Sequence, residues 1–183
     1  ASGTLSIAIG TANNPSTDTT TADNPHPTSS EGTSSVAIGT SAIAQTDNSI
    51  AIGTRATTYT ANTTSSPVTK IGIQSIAIGY GAETRDNNAI AFGTGAKANS
   101  AASIAIGDNA QALNENAVVI GTSSTAYGTD SVTLGKNNTN NGKGVMTTGN
   151  SNSVTNSQSA ADVVQNSGIY GSLNKIQSVS SSN

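Results

Sequence analysis

The stretch from Ala89 to Gly135 decides the fold, because its pattern recurs with a 14-residue period. It reads AIAFG, SIAIG, AVVIG and SVTLG, and these segments close on Gly93, Gly107, Gly121 and Gly135. Residues alternate before each glycine, as in a β-strand, and glycine readily takes the positive φ of a turn. A second, shorter alternation follows each glycine. Two short strands and two turns per repeat predict one coil of a thin parallel β-solenoid, and therefore an all-β fold.

The residues after each glycine predict one wall of the interior. Alanine recurs three residues after the glycine and again five residues after it, with a polar residue between the two. Such alternation places the alanines inward and the polar residues outward. We expect the alanines to face the Ile and Val side chains of the preceding strand across a narrow gap. The alanines concerned are Ala42, Ala56, Ala82, Ala96 and Ala110, then Ala44, Ala98, Ala112 and Ala126.

The middle residue of the strand before the glycine is usually alanine. If the flanking isoleucines face inward, this alanine faces outward. So thin a coil buries little apolar surface, and the free energy gained by this burial is smaller than the conformational entropy cost of ordering the coil. We therefore expect the alanine strip to be a close-packed interface with other copies of the chain; the alternative is a strip exposed to solvent. Its members are Ala37, Ala51, Ala77, Ala91 and Ala105, with Ala8 at the start of the chain.

The repeated motif SIAIGxxAxA resembles the head of YadA-like trimeric autotransporter adhesins. Intact SIAIG begins at Ser6, Ser49, Ser75 and Ser103, and close variants begin at Ser35, Ala89, Ala117 and Ser131. The resemblance extends from Ser6 to Gly149. It implies a left-handed parallel β-roll, and three such rolls associated about a common axis as a homotrimer. The alanine strip would then be the trimer interface.

Two insertions interrupt the head repeats, which we assign to residues 1–149. The spacing from Gly10 to Gly39 exceeds one period by about a full coil, and the first insertion lies near residues 13–34, with Pro25 and His26 within it. The spacing from Gly53 to Gly79 is also nearly two periods, and the more apolar second insertion lies near residues 59–74. Insertions in solenoids form loops, often on the binding face. They are equally compatible with tolerated, solvated loops, or, for the second, with local packing on the roll.

Residues 150–183 are interpreted as degenerate coils of the same roll. Asparagine replaces alanine three residues after the glycine, at Asn138, Asn152 and Asn174. An inward asparagine needs hydrogen-bond partners, and a stack of asparagines on successive coils supplies them. A third insertion of about eight residues is expected between Asn156 and Ser167, where the register is lost.

Composition narrows the class of protein. The chain has 183 residues, of which 9% are charged, and a net charge of −3. It contains no cysteine, which excludes a disulfide framework and thiolate metal sites. Its few basic residues are scattered, so nucleic acid is not an expected partner. No leader stands at Ala1 and no apolar run is long enough to span a membrane. The resemblance to YadA-like heads then implies an extracellular passenger whose outer-membrane anchor lies outside this sequence.

The sequence does not predict an enzyme, a metal site or a cofactor. His26 is the sole histidine and lies between prolines, while the carboxylates mostly fall at turns, which favour Asp. Acyltransferase solenoids have a six-residue period, which differs from the 14-residue period of this chain. Ice binding requires a flat threonine array, but Tyr80, Asp108 and Lys136 interrupt the threonines that follow the glycines.

The resemblance implies a bacterial cell-surface adhesin that attaches to host matrix or cell-surface proteins through a multivalent trimer. Family ligands are collagen, fibronectin, laminin and CEACAM-type receptors, and the residues do not select among them. The alternative is a structural spacer or autoagglutination module that projects other domains from the cell. The candidate receptor contacts are Tyr59, Pro67, Val68 and Ile71 at the second insertion, Pro25 and His26 at the first, and Glu83 and Lys97 on the outer strands.

Overall fold

The computed structural model describes residues 1–11, 27–59, 73–155 and 165–177. These ranges form two parallel ten-stranded sheets, with strands alternating between the sheets along the chain. The first sheet contains β1 (Ile7–Ile9), β3 (Val36–Ile38), β5 (Ile50–Ile52), β7 (Ile76–Ile78), β9 (Ile90–Phe92), β11 (Ile104–Ile106), β13 (Val118–Ile120), β15 (Val132–Lys136), β17 (Met146–Asn150) and β19 (Gly168–Ser172). The second sheet contains β2 (Ser29–Ser30), β4 (Ile43–Ala44), β6 (Thr57–Thr58), β8 (Glu83–Thr84), β10 (Lys97–Ala98), β12 (Gln111–Ala112), β14 (Thr125–Ala126), β16 (Thr139–Asn140), β18 (Ser153–Thr155) and β20 (Lys175–Gln177).

Each coil contributes one strand to each sheet, so hydrogen-bonded neighbours lie one coil apart in the sequence. Ala105 of β11, for example, lies beside Ala91 of β9 and Val119 of β13 in parallel register. This arrangement confirms the all-β parallel roll predicted from the 14-residue period. The left-handed winding and the three-chain assembly stay predictions.

The interior of the roll is lined by small residues from both sheets. Ala105 faces inward from the first sheet and Ala110 and Ala112 face inward from the second, and all three have 0% exposed surface. The inward placement predicted for the alanines after each glycine is therefore correct. Polar Glu83, Lys97 and Gln111 point outward between them, as predicted, and are only partly buried.

The predicted facing of the first-sheet strands is wrong. The alanines proposed as a trimer interface have no exposed surface even in a single chain, so they cannot contact another copy: Ala37, Ala51, Ala77, Ala91 and Ala105 are all 0% exposed. The flanking isoleucines, such as Ile104 and Ile106, point outward and are partly exposed. The alanine strip is therefore core, and the isoleucines form the outer surface.

A steric argument explains this arrangement. Alternation defines two faces of a strand but does not say which is inner, and a shift of one residue exchanges them. A three-residue strand with its middle residue inward adds one side chain to the interior, and alanine fits the narrow gap opposite Ala110 and Ala112. The opposite facing would place Ile104 and Ile106 in a space sized for methyl groups, and such overpacking is destabilising.

The inward-facing side chains become larger and more polar toward the C-terminal coils. Val119 is followed one coil later by Thr133, then by Thr147 and Ile169, all within the same inward column of the first sheet. The opposite wall carries Asn138, Asn152 and Asn174, which we name the asparagine ladder.

The predicted stack of asparagines is confirmed. The Nδ2 of Asn152 donates to Oδ1 of Asn138 at 3.0 Å, and the Nδ2 of Asn174 donates to Oδ1 of Asn152 at 2.9 Å. Asn138 and Asn152 are each 1% exposed. The side-chain amides therefore hydrogen-bond to one another along the axis of the roll. Without these bonds the buried amides would be unpaired.

Substitution of Thr133 by valine is expected to stabilise the roll. The Oγ1 atoms of Thr133 and Thr147 are buried and have no hydrogen-bond partner among the described residues, and an unpaired buried hydroxyl costs about 1–3 kcal/mol. Val119 fills the same column one coil earlier with 0% exposure, so valine fits this wall. Thr133→Val should raise the free energy of unfolding by about 1 kcal/mol, measured by urea denaturation at fixed chain concentration.

The matched control is Thr125→Val on the outward face of β14, where the residue is only partly buried. It should change the free energy of unfolding by less than about 0.5 kcal/mol. A loss of stability in Thr133→Val would show that the hydroxyl of Thr133 is satisfied and would contradict the expectation.

Candidate interaction surfaces

The outward side of the first sheet is an unbroken apolar surface, which we name the apolar face. It consists of two columns of aliphatic or aromatic side chains that follow the parallel register from β3 to β15. One column contains Val36, Ile50, Ile76, Ile90, Ile104, Val118 and Val132, and the other contains Ile38, Ile52, Ile78, Phe92, Ile106, Ile120 and Leu134. At roughly 4.8 Å between strands, the apolar face is about 29 Å long.

The exposure of the apolar face is unusual for a folded chain on its own. Phe92 is 52% exposed and Ile120 is 44% exposed, with partly exposed isoleucines between them. Contiguous apolar patches of this kind mark interaction sites, whereas isolated surface apolar residues do not. The apolar face is therefore the candidate contact surface of the roll.

The outward side of the second sheet is polar except at Ile43, and it forms the other long surface, which we name the polar face. Its strands present one side chain per coil, among them Thr57, Glu83, Lys97, Gln111 and Thr125. Glu83 and Lys97 are register partners on adjacent strands, so opposite charges lie side by side. The difference between the two faces gives the roll one side suited to burial and one suited to water.

One edge of the polar face carries a cluster around Tyr59. The ring of Tyr59 is 39% exposed, and the Arg85 guanidinium carbon lies 5.7 Å from its centroid, within cation–π range. The Nε of Arg85 also donates to Oε1 of Glu83. Two predicted contacts, Tyr59 and Glu83, thus meet through Arg85, and Lys97 lies beside Glu83. We name these four residues the Tyr59 cluster.

The sequence analysis did not identify Arg85 as a site residue, although its position in the repeat indicated its proximity to Tyr59. It stands two residues after Glu83, at the position that Tyr59 occupies one coil earlier. Tyr59 N donates to Thr84 O and Arg85 N donates to Ala98 O, which shows the equivalence of the two positions. The 14-residue period, interrupted by the second insertion, concealed this relationship.

The insertions interrupt the chain at two kinds of turn. The first falls between β1 and β2, at the turn from the first sheet to the second. The second and the expected third fall between β6 and β7 and between β18 and β19, at the turn from the second sheet back to the first. Residues 29–34, predicted to be part of the first insertion, instead form β2 and the following turn. Pro25, His26, Pro67, Val68 and Ile71 lie outside the described residues.

Two aspartates of the described residues bond to the neighbouring coil at the turns. Asp47 Oδ1 accepts a hydrogen bond from Thr33 N at 2.8 Å, and Asp130 Oδ1 accepts one from Asn116 Nδ2 at 2.9 Å. In the described ranges, His, Cys, Asp and Glu side chains nowhere gather in a group of three that would hold a metal ion. Those ranges also contain no helix of the length and apolarity needed to cross a membrane.

Together these features define a repeat protein of the parallel β-roll class, with one apolar and one polar long face. The family model of the YadA head domain repeat matches residues 30–56, 71–96, 87–110, 98–124 and 112–138, which together are slightly more than half of the chain. The chain belongs to the YadA head domain family. Proteins of this family are adhesins, and their heads form trimers that bind host proteins. No curated protein matches the sequence.

Proposed function

We propose that this chain is the head of a trimeric bacterial surface adhesin, which attaches to host matrix or cell-surface receptor proteins without catalysing a reaction. The match to the YadA head domain repeat carries the proposal. In this proposal the head is an extracellular passenger, held at the outer membrane by an anchor elsewhere in the protein.

The apolar face supports a trimer. A chain alone leaves its outward isoleucines, Phe92 and Ile120 in contact with water, which is unfavourable over so long a surface. Three copies related by a threefold axis bury the same face on every chain. The proposed interface is therefore the isoleucine columns, in place of the buried alanines.

Trimerisation explains how a shallow surface binds a receptor. The described roll is narrow, and Tyr59 and Arg85 of the Tyr59 cluster are exposed on its edge. Three copies on one rigid particle raise the effective concentration of the second and third contacts, so weak individual sites give strong attachment. Large fibrous ligands such as collagen, fibronectin and laminin, or clustered CEACAM-type receptors, are able to engage several copies at once.

The receptor contact is proposed at the Tyr59 cluster with the adjoining second insertion. Tyr59 is an exposed aromatic residue whose ring is held by Arg85, and tyrosine and arginine are frequent hot-spot residues in protein interfaces. Pro67, Val68 and Ile71 follow Tyr59 in the chain. Pro25 and His26 of the first insertion, which precedes β2 in the sequence, form the second candidate.

Tyr59→Ala tests this site against a matched control. Tyr127 occupies the equivalent position after β14, with its N–H donating to Asn140 O, and its ring is 50% exposed. Tyr59→Ala should weaken binding to an immobilised matrix-protein panel about tenfold, and Tyr127→Ala should leave binding unchanged. Surface plasmon resonance on the trimer gives the affinity.

Deletion of residues 61–71, of residues 13–26, or of both ranges extends the test. Loss of binding with the first deletion supports the site at the Tyr59 cluster and the second insertion, while loss only with the second deletion moves the site to the first insertion. Unchanged binding in the double deletion places the contact on the polar face. A head that binds none of the matrix proteins or receptors would support the spacer function instead.

A further inference from the structure

The arginine of the Tyr59 cluster is held by two contacts and is still exposed. Its Nε donates to Oε1 of Glu83, and its guanidinium carbon lies 5.7 Å from the centroid of the Tyr59 ring. The side chain of Arg85 is 55% exposed, whereas that of Glu83 is 15% exposed. The carboxylate is therefore recessed, and the guanidinium is presented to solvent in a defined orientation.

The terminal nitrogens of Arg85 are available to a ligand. An arginine side chain has five N–H donors, and Glu83 accepts only the one on Nε. Among the described residues, no group accepts a hydrogen bond from the two Nη atoms. The guanidinium nitrogens form a planar fork that is able to bind both oxygens of a carboxylate at once.

A second cation lies next to this fork. Lys97 is the register partner of Glu83 on the adjacent strand and is partly exposed, and it forms no ion pair with a carboxylate in the described part of the chain. Asp86 follows Arg85, but its Oδ1 accepts the N–H of Asn87 at 2.7 Å within the turn. Two cations and one anion therefore give the cluster a net charge of +1, in a chain whose net charge is −3.

We infer, on the basis of the proposed receptor-binding function, that the Tyr59 cluster binds a carboxylate side chain in an acidic segment of the receptor protein. The fork of Arg85 is the bidentate donor and Lys97 is the supporting cation. Both contacts that orient Arg85 exist before the ligand arrives, so binding loses little of the conformational entropy of this long side chain. The Tyr59 ring displaces water from one side of the guanidinium, which strengthens its attraction to a carboxylate.

The charge of the cluster favours single carboxylates over a sulfated polymer. Sulfated polysaccharides carry dense negative charge and are bound by runs of Lys and Arg. The chain contains only seven such residues, scattered along the sequence, and Glu83 lies within the cluster itself. This recessed anion would repel a dense polyanion, but it leaves the fork of Arg85 free for one carboxylate.

Surface plasmon resonance of the full chain on two immobilised peptides provides the test. One peptide alternates glycine with glutamate, and the other alternates glycine with glutamine. The chain should bind the glutamate peptide at least about tenfold more tightly, because hydrogen bonds to a charged acceptor are stronger than those to a neutral one. Immobilised heparin, on a third surface, represents the sulfated polymers and should bind more weakly than the glutamate peptide.

Variants of Arg85 identify the group that binds the peptide. Arg85→Gln should weaken binding to the glutamate peptide about tenfold, since it removes a charge-assisted hydrogen bond. Arg85→Lys should weaken it nearly as much, because lysine keeps the charge but lacks the planar fork. Lys136→Gln is the matched control: it removes the same charge from an exposed residue at the end of β15 and should leave binding unchanged.

Glu83→Gln tests the role of the recessed anion. The side-chain oxygen of glutamine is still able to accept the Nε–H of Arg85, so the arginine should keep its orientation. Because one negative charge is removed, binding to the glutamate peptide should become about threefold tighter. Weaker binding by this variant would show that the cluster does not recognise an anion.

Equal affinity for the two peptides, unchanged binding by Arg85→Gln, or a preference for heparin would overturn the inference. If the parent binds a matrix protein and Arg85→Lys binds it equally well, the carboxylate assignment fails while the adhesin function stands. If the chain binds the glutamate peptide through Arg85 but binds no matrix protein or receptor, the adhesin function fails and the carboxylate preference of the cluster stands.

Discussion

Gly107→Ala is expected to lower the free energy of unfolding by more than about 4 kcal/mol. Single substitutions cause a loss of this size only when they create a severe defect in the backbone or the core. Gly107 has a φ of +130°, which residues with a Cβ adopt only under strain. A Cβ there would overlap the carbonyl oxygen of Gly121 and lie 2.7 Å from its carbonyl carbon. Because these atoms are backbone, the clash is relieved only by separating two coils.

The damage should extend beyond one coil. Gly107 stacks on Gly121 and itself lies against Gly93, so a displaced backbone disturbs the hydrogen bonds to both neighbouring coils. Each coil of a solenoid is stabilised mainly by its neighbours, and a break in the middle weakens both halves. Urea denaturation followed by circular dichroism, at fixed chain concentration, should show an earlier transition.

Gly81→Asn is the matched control. Gly81 also has a positive φ, of +61°, but it lies in the left-handed region that asparagine tolerates, and an added Cβ meets nothing within 4 Å. Asn109 holds the equivalent position two coils later with a φ of +53°. The stability of Gly81→Asn should stay within about 1 kcal/mol of the parent. Equal stability of Gly107→Ala and the parent would show that the coils are not stacked through these glycines.

The period of the sequence was sufficient to predict the coil and one wall of its interior. In the second sheet a polar residue stands between two inward positions, as Glu83 stands between Ala82 and Thr84. A charged side chain in a coil this thin has to reach water, so the charged residue identifies the outer face of the strand. The asparagine ladder was predicted by a similar argument, because an inward amide requires a partner and the next coil offers one.

Before the closing glycine, the strands of the first sheet have no charged residue that identifies their outer face. Its strands alternate Ile and Ala, both apolar, so composition does not distinguish inside from outside. The choice depends on the width of the gap between the sheets, which is a property of the assembled coil. Hydrophobicity alone favours isoleucine inside, and that expectation failed because the gap between the sheets has room only for small side chains, so the isoleucines form the outer surface.

The candidate site was predictable only in part. Tyr59 and Glu83 were selected separately, as an insertion residue and as an outer-strand residue, and the structure brings them together through Arg85. With the second insertion between them, Tyr59 and Arg85 stand almost two periods apart in the sequence, whereas one coil separates them in space. Sequence distance therefore concealed a contact that the parallel register produces.

Ile106→Asp is expected to convert the proposed trimer into single chains of 18.0 kDa. Ile106 lies in the middle of the apolar face, between Phe92 and Ile120 in register. By threefold symmetry one substitution places three carboxylates in the same buried interface. Burial of an unpaired charge costs several kcal/mol for each ion, which exceeds what the remaining apolar contacts of one coil supply.

Gln111→Asp is the matched control, because it introduces the same charge into the same coil on the polar face, where Gln111 is partly exposed. Neither substitution touches the interior alanines, so both variants should retain their strands by circular dichroism. Sedimentation velocity should give three times the chain mass for Gln111→Asp and the single-chain mass for Ile106→Asp. The single chains should also bind the immobilised receptor far more weakly, since avidity requires three tethered copies. An Ile106→Asp variant that keeps the trimer mass would exclude the apolar face as the interface and leave its exposure without a partner.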